Sequence, residues 1–366
     1  MRIVIAGGGT AGHVFPSVAV AERLSARGAS VEFIGSSDGQ EATLIPAAGY
    51  PFHPIRAIPL RRELSVRAAL APAVALRSAI ACRPLVRGAA AVLGMGGFAS
   101  IPAVLAAATV GAPRVLHEQN AVPGLANRTL ARFATAIGIT FEDSRLRLPR
   151  GRRIETTGLP VRKEILAVQT EPDGQAAEAR RTFDLASDRV TVLVTGGSQG
   201  ALQIDRAVAG AIALLADRRD LQLVVLTGRA HEAVVAEAAS RSMELIVRTI
   251  PFLERIELAL AVADAAVARA GANTVNELAV SGVPAILVPY PHATDAHQDA
   301  NARELERAGA AEVVADRELT PERLALRLGA LVADDDRRAS MAKAARAWAK
   351  PDADERLAEL VLAVAR

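Results

Sequence analysis

Three glycine-marked stretches of this 366-residue chain carry residue types that can do chemistry. The first, GGGTAGH (residues 7–13), sets Gly7, Gly9 and Gly12 in the spacing G-x-G-x-x-G with His13 directly behind them. The second, GGSQGA (196–201), reads as a nest of backbone N–H groups after a β-branched run, with Ser198 available to phosphate oxygens and Arg162 able to add charge. The third, ARAGANTVNE (268–277), places a glycine turn after a strand and opens a helix near Ala272, whose N–H groups and positive dipole end suit a diphosphate. Glu277 falls about one turn into that helix, where its carboxylate can accept hydrogen bonds from ribose hydroxyls; a solvated first-turn glutamate is the plainer reading. Asn120 in HEQN and Gln298 in HQDANA supply neutral amides on loops after strands, the groups that discriminate sugar hydroxyls, or else serve as ordinary loop residues. His13, His117 and Glu118 are the candidate general bases of the N-terminal loops, His13 foremost because an imidazole titrates near working pH. His117 and Glu118 can equally hold the loop structure.

The glycine spacing alone would suit a dinucleotide, but that fold needs an acidic residue at the end of the second strand to hold the ribose. Here the second strand, VEFIG, ends in Gly35-Ser36-Ser37, with Glu32 near its start and Asp38 several residues late. Pro16 argues further against it. Proline favours the first turn of a helix, so the helix is expected to begin near Phe15 to Ser17, leaving residues 7–14 as a long loop that presents His13 at the sheet's carboxyl edge. The one Asp-x-Asp string that could bind a metal-nucleotide pair, in ADDDRR (333–338), lies between two helical stretches and reads as a loop or helix cap. No metal and no cofactor is expected.

These residues need a frame. Short β-branched runs at 2–6, 31–35, 90–94, 113–118, 135–140, 189–196, 221–228, 244–249, 264–269 and 284–289 alternate with Ala/Leu/Arg-rich helical stretches. Strand, helix, strand repeated in this way predicts parallel sheets covered on both faces. The plan restarts at VTVLVTGGSQGALQIDRAVAGAI, and the intervening ETTGLPVRKEILAVQTEPDGQ is polar and Gly/Pro-interrupted. The expectation is an α/β protein of two doubly wound, Rossmann-like domains facing a cleft, residues 1–162 and 163–366, with the last helix (about 350–366) packing back on the first domain.

Composition narrows the setting. A hydrophobic fraction of 51 % with 23 % charged residues is a globular balance with material for two cores. The single cysteine, Cys82, excludes an internal disulfide framework and a thiolate metal cage. The opening Met-Arg-Ile-Val-Ile-Ala runs straight into the glycine loop, so no signal peptide and a cytoplasmic location are expected. No run of about 18 uncharged apolar residues exists to span a bilayer. The net charge of +3 conceals a contrast: seven arginines stand against one glutamate between Arg56 and Arg87, a local +6 that leaves the rest at −3. Interleaved with Leu60, Leu64, Leu70, Leu76 and Ile80, these arginines describe a segment that can lie on an anionic membrane surface, or an ordinary amphipathic helix with a solvated face. Nucleic acid is not an expected partner, with two Tyr, one Trp and no recognition module.

Taken together, GGGTAGHVFP, GMGGFAS (94–100), HEQNAVPGLANR (117–128), GLPVR (158–162), TGGSQGA (195–201) and RAGANTVNELAVSGVPAILVPYPHATDAHQDANA (269–302) resemble the MurG family in order and spacing across both halves of the chain. The family comprises N-acetylglucosaminyltransferases of peptidoglycan synthesis. The resemblance implies a glycosyltransferase-B fold and UDP-N-acetylglucosamine as the donor, held mainly by the C-terminal domain. It implies an undecaprenyl-linked muramyl-pentapeptide as acceptor, bound by the N-terminal domain at the cytoplasmic face of the membrane. It also implies an inverting, metal-independent single displacement and contacts with other cell-wall synthesis proteins. It places Thr10, Ala11, Gly12, Asn120, Arg162, Ser198, Ala272, Asn273, Thr274, Glu277 and Gln298 against substrate. Leu253 in IPFLERI, which would be core from its sequence alone, takes the position that reads uracil through its main chain. A UDP-N-acetylglucosamine 2-epimerase and a non-catalytic nucleotide-sugar binding protein share the architecture and are the alternatives.

Overall fold

The computed structural model describes residues 1–57, 66–197 and 200–365, with side chains described outside 66–72. The chain forms two compact units, Met1–Arg162 together with Lys350–Arg366, and Lys163–Ala349.

The first unit runs β1 (Arg2–Ala6), α1 (Ala11–Ala26), β2 (Ser30–Ser36), α2 (Glu41–Ala47), β3 (Phe52–Ile55), α3 (Val66–Val86), β4 (Ala91–Gly94), α4 (Ser100–Thr109), β5 (Arg114–Glu118), α5 (Leu125–Leu130), β6 (Ala136–Ile139) and β7 (Arg153–Thr156). Its seven described strands are all parallel in the order β3-β2-β1-β4-β5-β6-β7. Because the order reverses between β1 and β4, the loops that follow these two strands diverge from a shared point at the carboxyl edge, where doubly wound sheets bind their ligands. The glycine loops GGGT and GMGGF are those two loops.

The second unit runs α6 (Lys163–Thr170), α7 (Pro172–Phe183), β8 (Val190–Thr195), α8 (Leu202–Leu214), β9 (Leu221–Leu226), α9 (Glu232–Ser240), β10 (Ile246–Ile250), α10 (Ile256–Val262), β11 (Ala265–Ala268), α11 (Ala272–Ser281), β12 (Ala285–Leu287), α12 (His297–Arg307), β13 (Ala311–Val313), α13 (Pro321–Val332) and α14 (Asp335–Trp348). The order β10-β9-β8-β11-β12-β13 repeats the switch between β8 and β11. β9 and β11 are buried along their whole length, the mark of a sheet covered on both faces.

Each unit has its own core. Val192, Val194, Leu221, Leu223 and Val225 meet Ile204, Val208 and Leu324 in the second. In the first, Ile3, Ile5, Leu24 and Leu93 are joined by Leu357, Leu360 and Val361 of α15 (Ala353–Val364), which returns to pack on α1. A 2.6 Å ion pair from Arg23 to Asp354 and another from Arg27 to Glu355 clamp the two helices.

Two local expectations are corrected. α1 begins at Ala11, so Pro16 lies inside it and His13 sits in its first turn rather than on a long loop. In that position proline gives up the ladder bond that an amide would have made to the Gly12 carbonyl. The carbonyl of His13 is also engaged, accepting from Ser17 Oγ at 2.6 Å. Among the described residues thirteen strands form rather than ten; β3, β7 and β13 are the additions, and all three are sheet edges.

Candidate functional site

In the first unit the chemistry converges on the switch point. Gly8 and Gly9 take φ of 146° and 95°, and Gly96 and Gly97 take 89° and 72°. These conformations are open to glycine at little cost. A methyl group on Gly97 would stand 2.5 Å from the Gly8 carbonyl oxygen, so the two loops touch. The same construction on Gly96 would reach His13 Cδ2 and Nε2 at 3.4 Å, which places the imidazole over the second loop. His13 Nδ1 pairs with Thr10 Oγ1 at 3.1 Å. Although its surface is partly open, the ring is densely surrounded, and desolvation lowers its pKa to about 4.

The HEQN loop completes this pocket, which His13, Gly96, His117, Glu118, Asn120 and Asn127 line together. His117 is fully buried and bonds Gly158 O through Nε2 at 2.8 Å; burial first, then the neighbouring His13, hold it down to about 4. Glu118, 2 % exposed, accepts from the backbone N–H of Asn120 at 2.9 Å and of Gly124 at 3.1 Å, and from Asn127 Nδ2 at 2.9 Å. The Asn120 side chain bonds it as well. Burial raises its pKa and these hydrogen bonds oppose the rise. Glu118 therefore organises the loop, and Asn127, which also donates to His117 O at 2.9 Å, ties the loop to β5. Arg162 lies with its guanidinium 4.6 Å over the Phe15 ring.

In the second unit α11 begins after an extended Gly271, so the amides of Ala272, Asn273 and Thr274 form its first turn; Glu277 is its sixth residue and half-buried. The loops beside it are fixed from below. Arg269, 8 % exposed, donates to Val288 O at 3.1 Å and Asp316 Oδ1 at 2.5 Å. Gln298, expected on a loop, is in the first turn of α12, and its Oε1 accepts from Tyr290 N at 2.9 Å and Ala270 N at 3.3 Å. This leaves its NH2 as the end for a ligand. Leu253 lies half-buried on the loop after β10 beside the exposed Phe252, not in the core. Of the GGSQGA nest, Gly197 and Gly200 take φ of 81° and 74°, while Ser198 lies outside the described residues. Beneath Gly200, His231 Nδ1 meets the buried Asp205 at 2.8 Å.

Among the described residues no group of three or more His, Cys, Asp or Glu could hold a metal ion. Asp334, first of the acidic string, caps α14 by accepting from Arg337 N at 2.8 Å. Asp334→Ala is accordingly expected to lower stability by about 1 kcal/mol in urea unfolding and to leave turnover unchanged. A fall in turnover at unchanged stability would return the string to the reaction.

Arg269, Asn127 and the buried Glu41 are site residues that sequence reasoning missed. Arg269 and Asn127 lie within recognised motifs and are set apart only by their burial; Glu41 lies outside every motif.

Residues 3–139 match the glycosyltransferase family 28 N-terminal domain and 191–357 its C-terminal domain. The UDP-N-acetylglucosamine–N-acetylmuramyl-(pentapeptide) pyrophosphoryl-undecaprenol N-acetylglucosamine transferase of Halothermothrix orenii is 39 % identical over 370 residues, covering 99 % of this chain and 98 % of its own. The crystal structure of Acinetobacter baumannii MurG superposes with a TM-score of 0.80 at 30 % identity, over 99 % of each chain. A UDP-GlcNAc 2-epimerase from Neisseria meningitidis, at 12 % identity and a TM-score of 0.71 over 99 % of this chain and all of its own, shares the fold.

Proposed function

The chain belongs to the MurG family within glycosyltransferase family 28, and from that premise we propose how its residues divide the work. It is an N-acetylglucosaminyltransferase: it moves N-acetylglucosamine from UDP-N-acetylglucosamine to the 4-hydroxyl of an undecaprenyl-linked N-acetylmuramyl-pentapeptide, with inversion. The observation that carries this reading is the near-full-length identity to a transferase of that name. Turnover of labelled donor with and without a lipid-linked acceptor tests it. Epimerisation of the donor without acceptor, or binding without any turnover, would overturn it.

The donor belongs to the second unit. The first turn of α11 faces the diphosphate, so its N–H groups and dipole stabilise the charge that grows as UDP departs. Glu277 accepts from the ribose hydroxyls, the main chain at Leu253 reads the base, and the Gln298 NH2 meets the sugar. Ser198 completes the diphosphate contacts.

The acceptor belongs to the first unit, where His13 is the base. With Nδ1–H donated to Thr10 Oγ1, Nε2 keeps the lone pair that takes the 4-hydroxyl proton. Ala11 and Gly12, in the same first turn, face the acceptor's phosphates, and Asn120 meets the sugar from the loop that Glu118 holds.

The acceptor's lipid requires a visit to the bilayer at its cytoplasmic face. No helix among the described residues is long and apolar enough to cross a membrane. α3 supplies a surface suited to docking on one. Leu76 and Ile80 are 64 % and 60 % exposed, one turn apart, and Arg77, Arg83 and Arg87 flank them in the open. Ser78, Cys82 and Val86 turn inward. Arg61, Arg62, Leu60 and Leu64, and the side chains of Arg67 and Leu70, lie outside the described residues. An arginine near an anionic surface contributes about 1 kcal/mol, so Arg83→Gln is expected to weaken vesicle binding about fivefold and raise KM for a long-chain acceptor only. Equal loss with a short, soluble acceptor, or unaltered cosedimentation, would end the membrane reading.

A further inference from the structure

Glu41 opens α2, is 1 % exposed, and sits beneath the first glycine loop. Its Oε2 accepts from Gly9 N at 2.8 Å and its Oε1 from Ser36 N at 2.9 Å. Glycines from three segments give it room: a methyl group on Gly8 or Gly39 would overlap its carboxylate, and one on Gly35 would stand 2.6 Å from its Cγ. The carboxylate thus lies where a nucleotide's phosphate would meet the N–H groups of a glycine loop ahead of a helix N-terminus. It binds the end of β2 and the loop after β1 into one piece.

We propose that Glu41 is a positioning residue of the transferase: a built-in anion that fills the seat at Gly9 N, where a nucleotide's phosphate would otherwise sit, behind the helix turn that faces the acceptor, and fixes the loop from which Thr10 and His13 project. Two consequences follow from the chemistry. The first unit is closed to a nucleotide of its own, which leaves the second as the sole donor site of two similar folds. His13 holds its place over Gly96 because Gly9, four residues earlier, is tied to a charge that cannot leave. The inference rests on the reading of His13 as base.

Glu41→Ala and Glu41→Gln, compared with His13→Ala, test it. Misplacing a reacting group by a fraction of an ångström to one ångström costs between about ten- and a hundredfold in rate, so kcat should fall at least about tenfold in both Glu41 variants with donor KM nearly unchanged. Sodium formate, a carboxylate that fits the vacated space, should restore turnover in Glu41→Ala, and not in Glu41→Gln, where the side chain still fills it. Wild-type kcat in a folded Glu41→Ala protein would overturn the proposal, and so would a loss that formate leaves untouched. If Glu41→Ala does not fold, Glu41→Gln decides: it keeps the shape but turns an NH2 toward a backbone N–H, and wild-type kcat there overturns the proposal. Full activity in His13→Ala would instead remove the base reading, while formate rescue would still report on the carboxylate.

Discussion

His13→Ala is expected to lower kcat by about 100-fold or more while donor affinity changes little. The side chain is in the first turn of α1, in the unit proposed to bind the acceptor. Desolvation keeps it neutral at neutral pH, the state a base requires, so the acid limb of kcat/KM should fall near pH 4 and not near 6.5. The sign follows from the protonated form being the inactive one: a lowered pKa extends activity toward acid. Glu118→Gln is the control. Because Glu118 already receives hydrogen bonds from Asn120, Gly124 and Asn127, its amide variant should disturb the HEQN loop more than the proton transfer. A larger loss of kcat in Glu118→Gln than in His13→Ala would pass the base to Glu118.

Glu277→Ala should weaken UDP-N-acetylglucosamine binding by about 1–3 kcal/mol, or about 5- to 150-fold, read by calorimetry. Its carboxylate is half-buried one and a half turns into α11, close enough to the helix start to share a ligand with the amides there. Hydrogen bonds from neutral hydroxyls to a charged acceptor are the stronger kind, so Glu277→Gln should lie between wild type and alanine. Donor affinity unchanged in the alanine variant would remove Glu277 from the site.

The buried strands are legible because a parallel sheet covered on both faces demands nearly continuous apolar runs, and RIVIA, LQLVVL and AAVA are such runs. The edges were not. β3 reads FHPI, with a proline that central strands exclude; β7 reads RIET; β13 is three residues long. Each has one neighbour and needs little apolar character. The start of α1 is hidden in the sequence because proline favours a helix's first turn, whereas Pro16 is the sixth residue of this one. The site was legible where glycine and a functional group share a motif. Glu41 escaped because the glycines that make room for it, Gly8, Gly35 and Gly39, come from separate segments, and nothing in the order of residues says that they meet at one carboxylate.

During translation, residues 1–162 leave the ribosome without the helix that finishes their core. Leu357, Leu360 and Val361 join Ile3, Ile5 and Leu24 only after every residue of 163–349 has been made. The usual order, in which the N-terminal domain closes first as the chain emerges, is therefore turned round: the contiguous second unit can complete its core while the first still exposes the apolar face that α15 will cover. A nascent chain paused before Lys350 presents that face, on the side of the sheet opposite α3, to whatever chaperone attends the tunnel exit. The unit that begins the chain completes its core last.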